Sequence, residues 1–253
     1  MNKNVFITGA SSGIGEACAH AFAYEGANLI ISARRFEKVE ELANVIREKY
    51  DVKVLALKID VTDYGMVEKA VSELTDEWKN IDILINNAGK GLGLEKMYED
   101  DPNSWDEMID TNIKGALYVI KAVVPGMVER KSGHVINLGS IAGHEPYPKG
   151  GVYCATKHAL DAITKSLRMD VIDKNVKVST IDPGMVETNF GEIRFYGDKE
   201  KAANVYKGVK PLVAEDIAET IVFIATRPAH VNINEIIIMP HVQANPFVCH
   251  REE

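Results

Sequence analysis

The 253-residue chain lacks most of the features that would place it in a specialised class. It has only three cysteines, Cys18, Cys154 and Cys249, an odd number at long spacings. They offer neither a disulfide framework nor a thiolate cluster, and no metal site is expected. No apolar run approaches the ~18 residues needed to span a bilayer. Residues 1–9 lack the apolar core of a secretory signal. Lysine and arginine form no long block and the net charge is −8, a poor match to a nucleic-acid backbone. No internal repeat or Pro/Gly/Ser-rich linker divides the chain. Hydrophobic residues at 46 % and charged residues at 26 % are ordinary proportions, which excludes a disordered or low-complexity polymer. The expectation is a soluble, cytoplasmic protein without nucleic-acid or membrane partners, folded as one domain over residues 1–253.

What the chain does have is a rhythm. Short runs rich in Ile, Val and Leu fall at residues 4–8, 28–32, 53–59, 81–86, 134–138, 176–181 and 235–239. Most are apolar at every position rather than at alternate ones, as in strands buried on both faces of a parallel sheet. Helix-like stretches lie between them at 13–24, 36–49, 64–78, 104–130, 151–173 and 214–226. Strand–helix alternation with short connections predicts an α/β fold, a Rossmann-like doubly wound parallel sheet of about seven strands. Residues 187–211 break the rhythm, being mixed in character and rich in Lys, Tyr and Gly. An irregular connection of that length in a compact domain suggests a small lid over a site.

The first strand ends in Thr8-Gly9-Ala10-Ser11-Ser12-Gly13-Ile14-Gly15, and a helical pattern follows at once. Glycines let a diphosphate approach the backbone, and a helix N-terminus offers free N–H groups and partial positive charge. Ser11 and Ser12 add hydroxyls. Gly9, Ser11, Ser12, Gly13, Ile14 and Gly15 are therefore candidate cofactor-binding residues. The spacing has one more residue between the first two glycines than the commonest dinucleotide fingerprint. This longer turn resembles that of the short-chain dehydrogenase/reductase superfamily.

The second strand identifies the dinucleotide. An acidic residue at its end would bond the adenosine ribose and favour NAD. Here Ala33 stands there, followed by Arg34 and Arg35. Guanidinium groups pair with a 2′-phosphate through charge-assisted bonds, so NADP is the expected cofactor, with Arg34 the stronger candidate of the pair. The alternative is a solvated helix start, although cations are mildly unfavourable at a helix N-terminus. Asp60 and Val61 close the third strand within reach of an adenine edge. Asn86-Asn87-Ala88-Gly89 closes the fourth and resembles the family's Asn-Asn-Ala-Gly motif beside the adenosine ribose, which adds Asn87, Ala88 and Gly89. Each of these segments also suits a plain strand-end turn.

Tyr153-Cys154-Ala155-Thr156-Lys157 places a phenol and an ammonium four residues apart, on one face of a helix. A nearby cation favours the phenolate and makes tyrosine usable as a general acid or base. A surface pair is the bland alternative. Ser140 lies 13 residues upstream, just beyond a strand, where open α/β sheets place ligands. Asn112 sits in a helical stretch although Asn is a poor interior helix former, a hint of a bulge. Asn112, Ser140, Tyr153 and Lys157 match the superfamily's Asn-Ser-Tyr-Lys tetrad. The resemblance implies that Tyr153 exchanges a proton with the substrate oxygen and that Ser140 orients that oxygen. It further implies that Lys157 lowers the Tyr153 pKa and holds the nicotinamide ribose, while Asn112 positions a water. Pro183-Gly184-Met185-Val186-Glu187-Thr188 resembles the nicotinamide-side segment, adding Pro183, Gly184, Val186 and Thr188 to the cofactor set.

Three further segments resemble those of NADP-dependent 3-hydroxy acid dehydrogenases, a group acting on serine and L-allo-threonine. They are residues 139–143 with Tyr147-Pro148, Arg194-Phe195-Tyr196-Gly197, and Met239-Pro240-His241-Val242-Gln243. A small hydroxy acid such as L-serine, L-allo-threonine or 3-hydroxypropionate carries a carboxylate that needs a cation near the reacting carbon. Arg194, in the irregular segment, is the candidate. Tyr147 and Gln243 are candidate substrate contacts, Gln243 in its own or a neighbouring subunit. His144, Lys149, His158 and Cys154 receive no site role. Two other functions remain open at this stage. One is a broad carbonyl or 3-oxoacyl reductase; the other is a non-catalytic NADP-binding regulator, which would be expected to lack the Tyr or Lys. A homotetramer, or else a dimer, is expected from the family and from the two long helices at 104–130 and 151–173.

Overall fold

The all-apolar runs form a seven-stranded parallel sheet, and both its faces are covered. The structure, a computed structural model, describes Met1 and residues 3–252. In chain order the sheet strands are β1 (Asn4–Thr8), β2 (Asn28–Ala33), β3 (Val54–Lys58), β4 (Ile83–Asn86), β5 (Gly133–Leu138), β6 (Val176–Pro183) and, after two short strands outside the sheet, β9 (Glu235–Ile238). Their spatial order is β3-β2-β1-β4-β5-β6-β9. Alternate residues of one strand serve opposite layers. Val5 and Ile7 of β1 pack with helices α1 (Gly13–Tyr24) and α2 (Phe36–Lys49), together with Ile217 and Ile221 of a late helix, α9 (Ala214–Ala225). Phe6 between them faces Val119 and Val123 of α5 (Ala116–Arg130) on the other side. Two-sided burial leaves no polar face to alternate with, which accounts for the sequence pattern.

Chain order reverses between β1 and β4, so the loops after these strands diverge and leave a crevice at their carboxyl ends. Two expected helices end or bend elsewhere. The stretch from Tyr64 stops at Ser72 as α3 (Tyr64–Ser72), because Thr75 and Asp76 turn the chain and Trp78 is drawn into the core. The long stretch expected over 104–130 is α4 (Pro102–Ile109) and α5, joined through a π-turn at Asp110–Gly115. Asn112 lies within that turn, so the bulge hinted at by its helix propensity is present. The remaining long helix is α6 (Gly151–Asp170), a few residues shorter than expected.

The irregular segment is closed at its base. Val186–Glu187 (β7) and Leu212–Val213 (β8) pair in parallel, so the two ends of the excursion meet. Between them run α7 (Phe190–Arg194) and α8 (Lys199–Asn204). The C-terminal turn braces it: Arg251 donates to the carbonyls of Lys207 and Val205, and the Glu252 amide donates to Gly208 O. Among the described residues no helix is long and apolar enough to cross a membrane.

Candidate active site

The turn after β1 is built on glycines that nothing larger could replace. Gly9 and Gly13 take left-handed φ of +67° and +60°. A Cβ on Gly15 would lie 2.5 Å from Gly9 O and 2.6 Å from Asn87 Nδ2. Gly15→Ala is therefore expected to destabilise the fold by about 1–3 kcal/mol through forced displacement. Thermal unfolding checks this, and an unchanged Tm would refute the close packing. The turn is also held from β4. Asn87 Nδ2 donates to Thr8 O and Gly9 O, while Thr8 Oγ1 accepts from the amides of Asn87 and Ala88. Thr8 was not singled out in the sequence, although its place between strand and glycine turn marked it. The Asn87 side-chain amide thus braces this turn, and the residue also borders the cavity beyond it.

The two arginines after β2 differ. Arg35 reaches back over the turn and donates to Ser11 Oγ at 3.0 Å and, more weakly, toward Ser12 Oγ at 3.5 Å. Arg34 is exposed and bonds none of the described residues. Ser12 begins α1 without a side-chain cap, so the helix's first amides face the crevice unbonded by it. Asp60 Oδ1 accepts from the Thr62 amide and hydroxyl, which leaves one oxygen free. The Val61 side chain is buried in the core beside Gly115, so only its main chain can face a ligand. Gly89 stands between Asn112 Oδ1 and Lys157 Nζ, which a Cβ there would meet at 3.3 and 3.7 Å.

A cavity of about 370 Å³ continues from the turn. Ile14, Ser140, Tyr147, Tyr153, Lys157, Pro183, Gly184, Val186, Thr188, Arg194 and Gln243 all reach it. The sequence-identified residues of the second half thus converge on one space, although more than 100 residues separate the first from the last. Lys157 is buried; its Nζ donates to Leu138 O at 2.8 Å and lies 5.9 Å from the centre of the Tyr153 ring. Burial pushes its pKa down to about 8, against the pull of Asp182. Burial also pushes Tyr153 up to about 12, with the neighbouring Tyr147 adding to the rise. The groups that act against this rise are Arg194 and a hydrogen bond from Ser140. Arg194 is the cation that lies nearer the Tyr153 ring, at 4.9 Å against 5.9 Å for Lys157. The reason is that the Lys157 ammonium is turned toward the β5 carbonyl.

Arg194, named from the sequence, lies among aromatic rings. Its guanidinium lies 4.9 Å from the Tyr153 ring centre and 5.3 Å from that of Phe190, and Nη2 donates to Tyr147 Oη at 2.6 Å. Its Nε is buried without a hydrogen-bond partner among the described residues. The residue also borders the cavity, so its guanidinium stands at the wall of the space that Tyr153 lines. The main chain of Arg194 is fixed too, since its carbonyl accepts from the Gly93 amide. The Asn112 side chain is fully used within the protein: it accepts from Lys90 N and donates to Lys90 O and Thr156 Oγ1. Gln243 is likewise committed. Its Oε1 accepts from the Met185 amide and its Nε2 donates to Asn245 O. It brackets the C-terminal turn to the end of β6 while bordering the cavity.

Comparison with known proteins agrees with this geometry. Residues 3–195 match the family described as short chain dehydrogenase. An NADP-dependent 3-hydroxy acid dehydrogenase of Schizosaccharomyces pombe is 43 % identical over 252 residues, 99 % of this chain and 97 % of that protein. A serine 3-dehydrogenase of Agrobacterium fabrum is 41 % identical over 240 residues, covering 95 % and 94 % of the two chains. Among solved structures, the closed form of serine dehydrogenase complexed with NADP+ superposes with a TM-score of 0.92 at 39 % identity, covering 99 % of this chain and 100 % of that one. A match that spans most of the chain, with full-length relatives above 40 % identity, shows that this chain belongs to the short-chain dehydrogenase family.

Proposed function

We propose that the protein is an NADP-dependent oxidoreductase acting on the hydroxyl-bearing carbon of a small 3-hydroxy acid. The observation that carries the substrate class is Arg194. Its guanidinium stands over the ring of the proton-exchanging phenol and at the wall of the same cavity, so a carboxylate and the reacting hydroxyl can be met within one space. Relatives of near-equal length named for 3-hydroxy acids and for serine support the same class.

The residues present fit an NADP molecule. The uncapped start of α1 and the Ser11, Ser12 and Arg35 donors suit a diphosphate, and the free guanidinium of Arg34 suits a 2′-phosphate. Pro183, Gly184, Val186 and Thr188 border the far end, where a nicotinamide would lie. When bound, NADP supplies the hydride acceptor or donor. Everything else falls to side chains. Tyr153 Oη gives a proton to, or takes it from, the substrate oxygen. Ser140 holds that oxygen by a hydrogen bond. Lys157 contributes positive charge at the ribose side, and Asn112 holds the Lys90 backbone that forms the neighbouring wall. Arg194 binds the carboxylate, with Tyr147 holding the guanidinium. The segment 187–211, clipped at its base by β7 and β8, is the lid of a single catalytic domain. The assembly is a cytoplasmic homotetramer in this reading. Exposed apolar residues on the long helices, Leu117 of α5 and Met169 of α6, support that assembly.

A rate assay with NADP and L-serine, L-allo-threonine and 3-hydroxypropionate tests the reaction; no turnover of any hydroxy acid refutes it. A broader carbonyl reductase is favoured by one feature, the apolar side chains of Leu94, Phe195 and Phe247 in the wall. It would predict turnover that does not depend on a substrate carboxylate. For the cofactor, Arg34→Ala is expected to lower kcat/KM for NADP by about 10- to 100-fold, the worth of one charge-assisted contact, and to leave NAD within about twofold. An unchanged NADP:NAD ratio would rule out Arg34 as the 2′-phosphate partner.

A further inference from the structure

Behind Ser140 and Lys157 lies a charged group that the proposed reaction does not use. Asp182, on β6, is 2 % exposed. Its Oδ1 accepts from the Ser140 amide at 3.0 Å and from Thr180 Oγ1 at 3.1 Å. It presses so closely on the chain that a Cβ at Gly139 would lie 1.8 Å from Oδ1, so the residue before Ser140 must be glycine. The other side of the same strand end is held by Lys157, whose Nζ donates to Leu138 O. Leu138, Gly139 and Ser140 are thus gripped between a buried cation and a buried anion.

The second carboxylate oxygen, Oδ2, has no hydrogen-bond partner among the described residues, yet His144 Nε2 lies 3.3 Å away. The same nitrogen lies 3.4 Å from Glu235 Oε1. Glu235 in turn has Lys165 at 4.0 Å, itself paired with Asp161 at 2.7 Å. Asp182 therefore faces Lys157 and Lys165 from α6, His144 from the turn after β5, and Glu235 from β9. A neutral acceptor would satisfy Ser140 and Thr180 equally well. The charge is what needs explaining, because burying a carboxylate is costly without a purpose or a partner.

We propose that Asp182 is a positioning residue for the reaction: its carboxylate sets the place of Ser140 and balances the charge of Lys157, and His144 holds it in the charged form. The inference rests on the hydride-transfer reading above. The physical signs agree. Burial raises the Asp182 pKa and His144 opposes that rise, whereas Asp182 opposes the fall that burial imposes on Lys157.

Asp182→Asn tests it, because the amide keeps an oxygen for Ser140 and loses only the charge. The expected result is a fall in kcat of about tenfold or more, with KM for the hydroxy acid within about threefold, since misplacement at the reacting centre affects the chemical step. Lys157 then loses its proton at lower pH, so the alkaline fall of kcat, read in the carbonyl-reducing direction, moves down the pH scale. The pH at which NADPH affinity weakens, read by fluorescence titration, moves down with it. A kcat within twofold of wild type overturns the proposal. So does a loss of kcat with both alkaline limbs unmoved, which would mark a merely structural residue. If Asp182→Asn does not fold, His144→Gln decides. Without the His144 ring beside it Asp182 takes up a proton more readily, so the acid fall of kcat moves to higher pH; an unmoved acid limb overturns the proposal. If the wild type turns over no hydroxy acid, the reaction reading fails by itself. The NADPH titration of Asp182→Asn then still decides, an unmoved limb counting against Asp182.

Discussion

Tyr153→Phe is expected to lower kcat by about 10³-fold or more in both directions, at the upper part of the range for losing a general acid–base. Ring packing against Phe190 survives the change, so Tm and NADPH affinity should stay near wild type. The pH dependence of the wild type carries the finer test. With Tyr153 near 12, only about one molecule in 10⁵ carries the phenolate at pH 7. The protonated phenol is the form that reduction of a carbonyl requires, and it is present throughout the ordinary range. Oxidation of the alcohol requires the phenolate, so its rate should climb with pH. Lys157, pushed down to about 8, is protonated below that pH and neutral above it. Reduction should accordingly be level below pH ~8 and decline above it, where the positive charge that Lys157 offers the cofactor's ribose side is lost. Turnover of Tyr153→Phe within tenfold of wild type would refute the assignment of the proton to this residue.

Arg194→Gln should raise KM for a hydroxy acid by about 10- to 100-fold, the loss expected for a charged hydrogen bond to a carboxylate. The decisive comparison is with the matching methyl ester. The ester should be a poor substrate for the wild type and should lose little further in the variant, because the contact removed is one that it cannot make. If acid and ester lose equally, Arg194 serves only to pack Tyr153 and Tyr147, and the broader carbonyl reductase becomes the better reading. A part of the effect will fall on kcat, since Arg194 also acts on the phenol of Tyr153. That part should be the same for acid and ester.

The candidate site was legible in the sequence to differing depth. Gly9, Gly13 and Gly15 stood out because a left-handed turn or a close approach of backbone tolerates no side chain there, a constraint that acts within a few residues. Asn112 stood out because its helix propensity contradicts its surroundings. Arg194 could be named from its segment, but its stacking on three aromatic rings depends on how the lid folds back. Asp182 and His144 gave no local signal. Asp182 lies in an apolar strand, and His144 beyond a serine; only the pairing of β5 with β6 brings the Ser140 amide to the carboxylate. The same holds for Thr8, whose two amide partners come from the loop after β4.

Local chemistry therefore determined the class of fold, the glycine turn, the two arginines after β2 and the Tyr153–Lys157 pair. Each is encoded within one turn of helix, one strand or one loop, over which propensity and periodicity act directly. Tertiary structure alone decided which cation lies nearer the phenol, which side chains brace the site from within, and where the buried Asp182 stands. Those outcomes depend on which strands become neighbours and how deeply each charge is buried, and both are set by the packing of elements far apart in the chain.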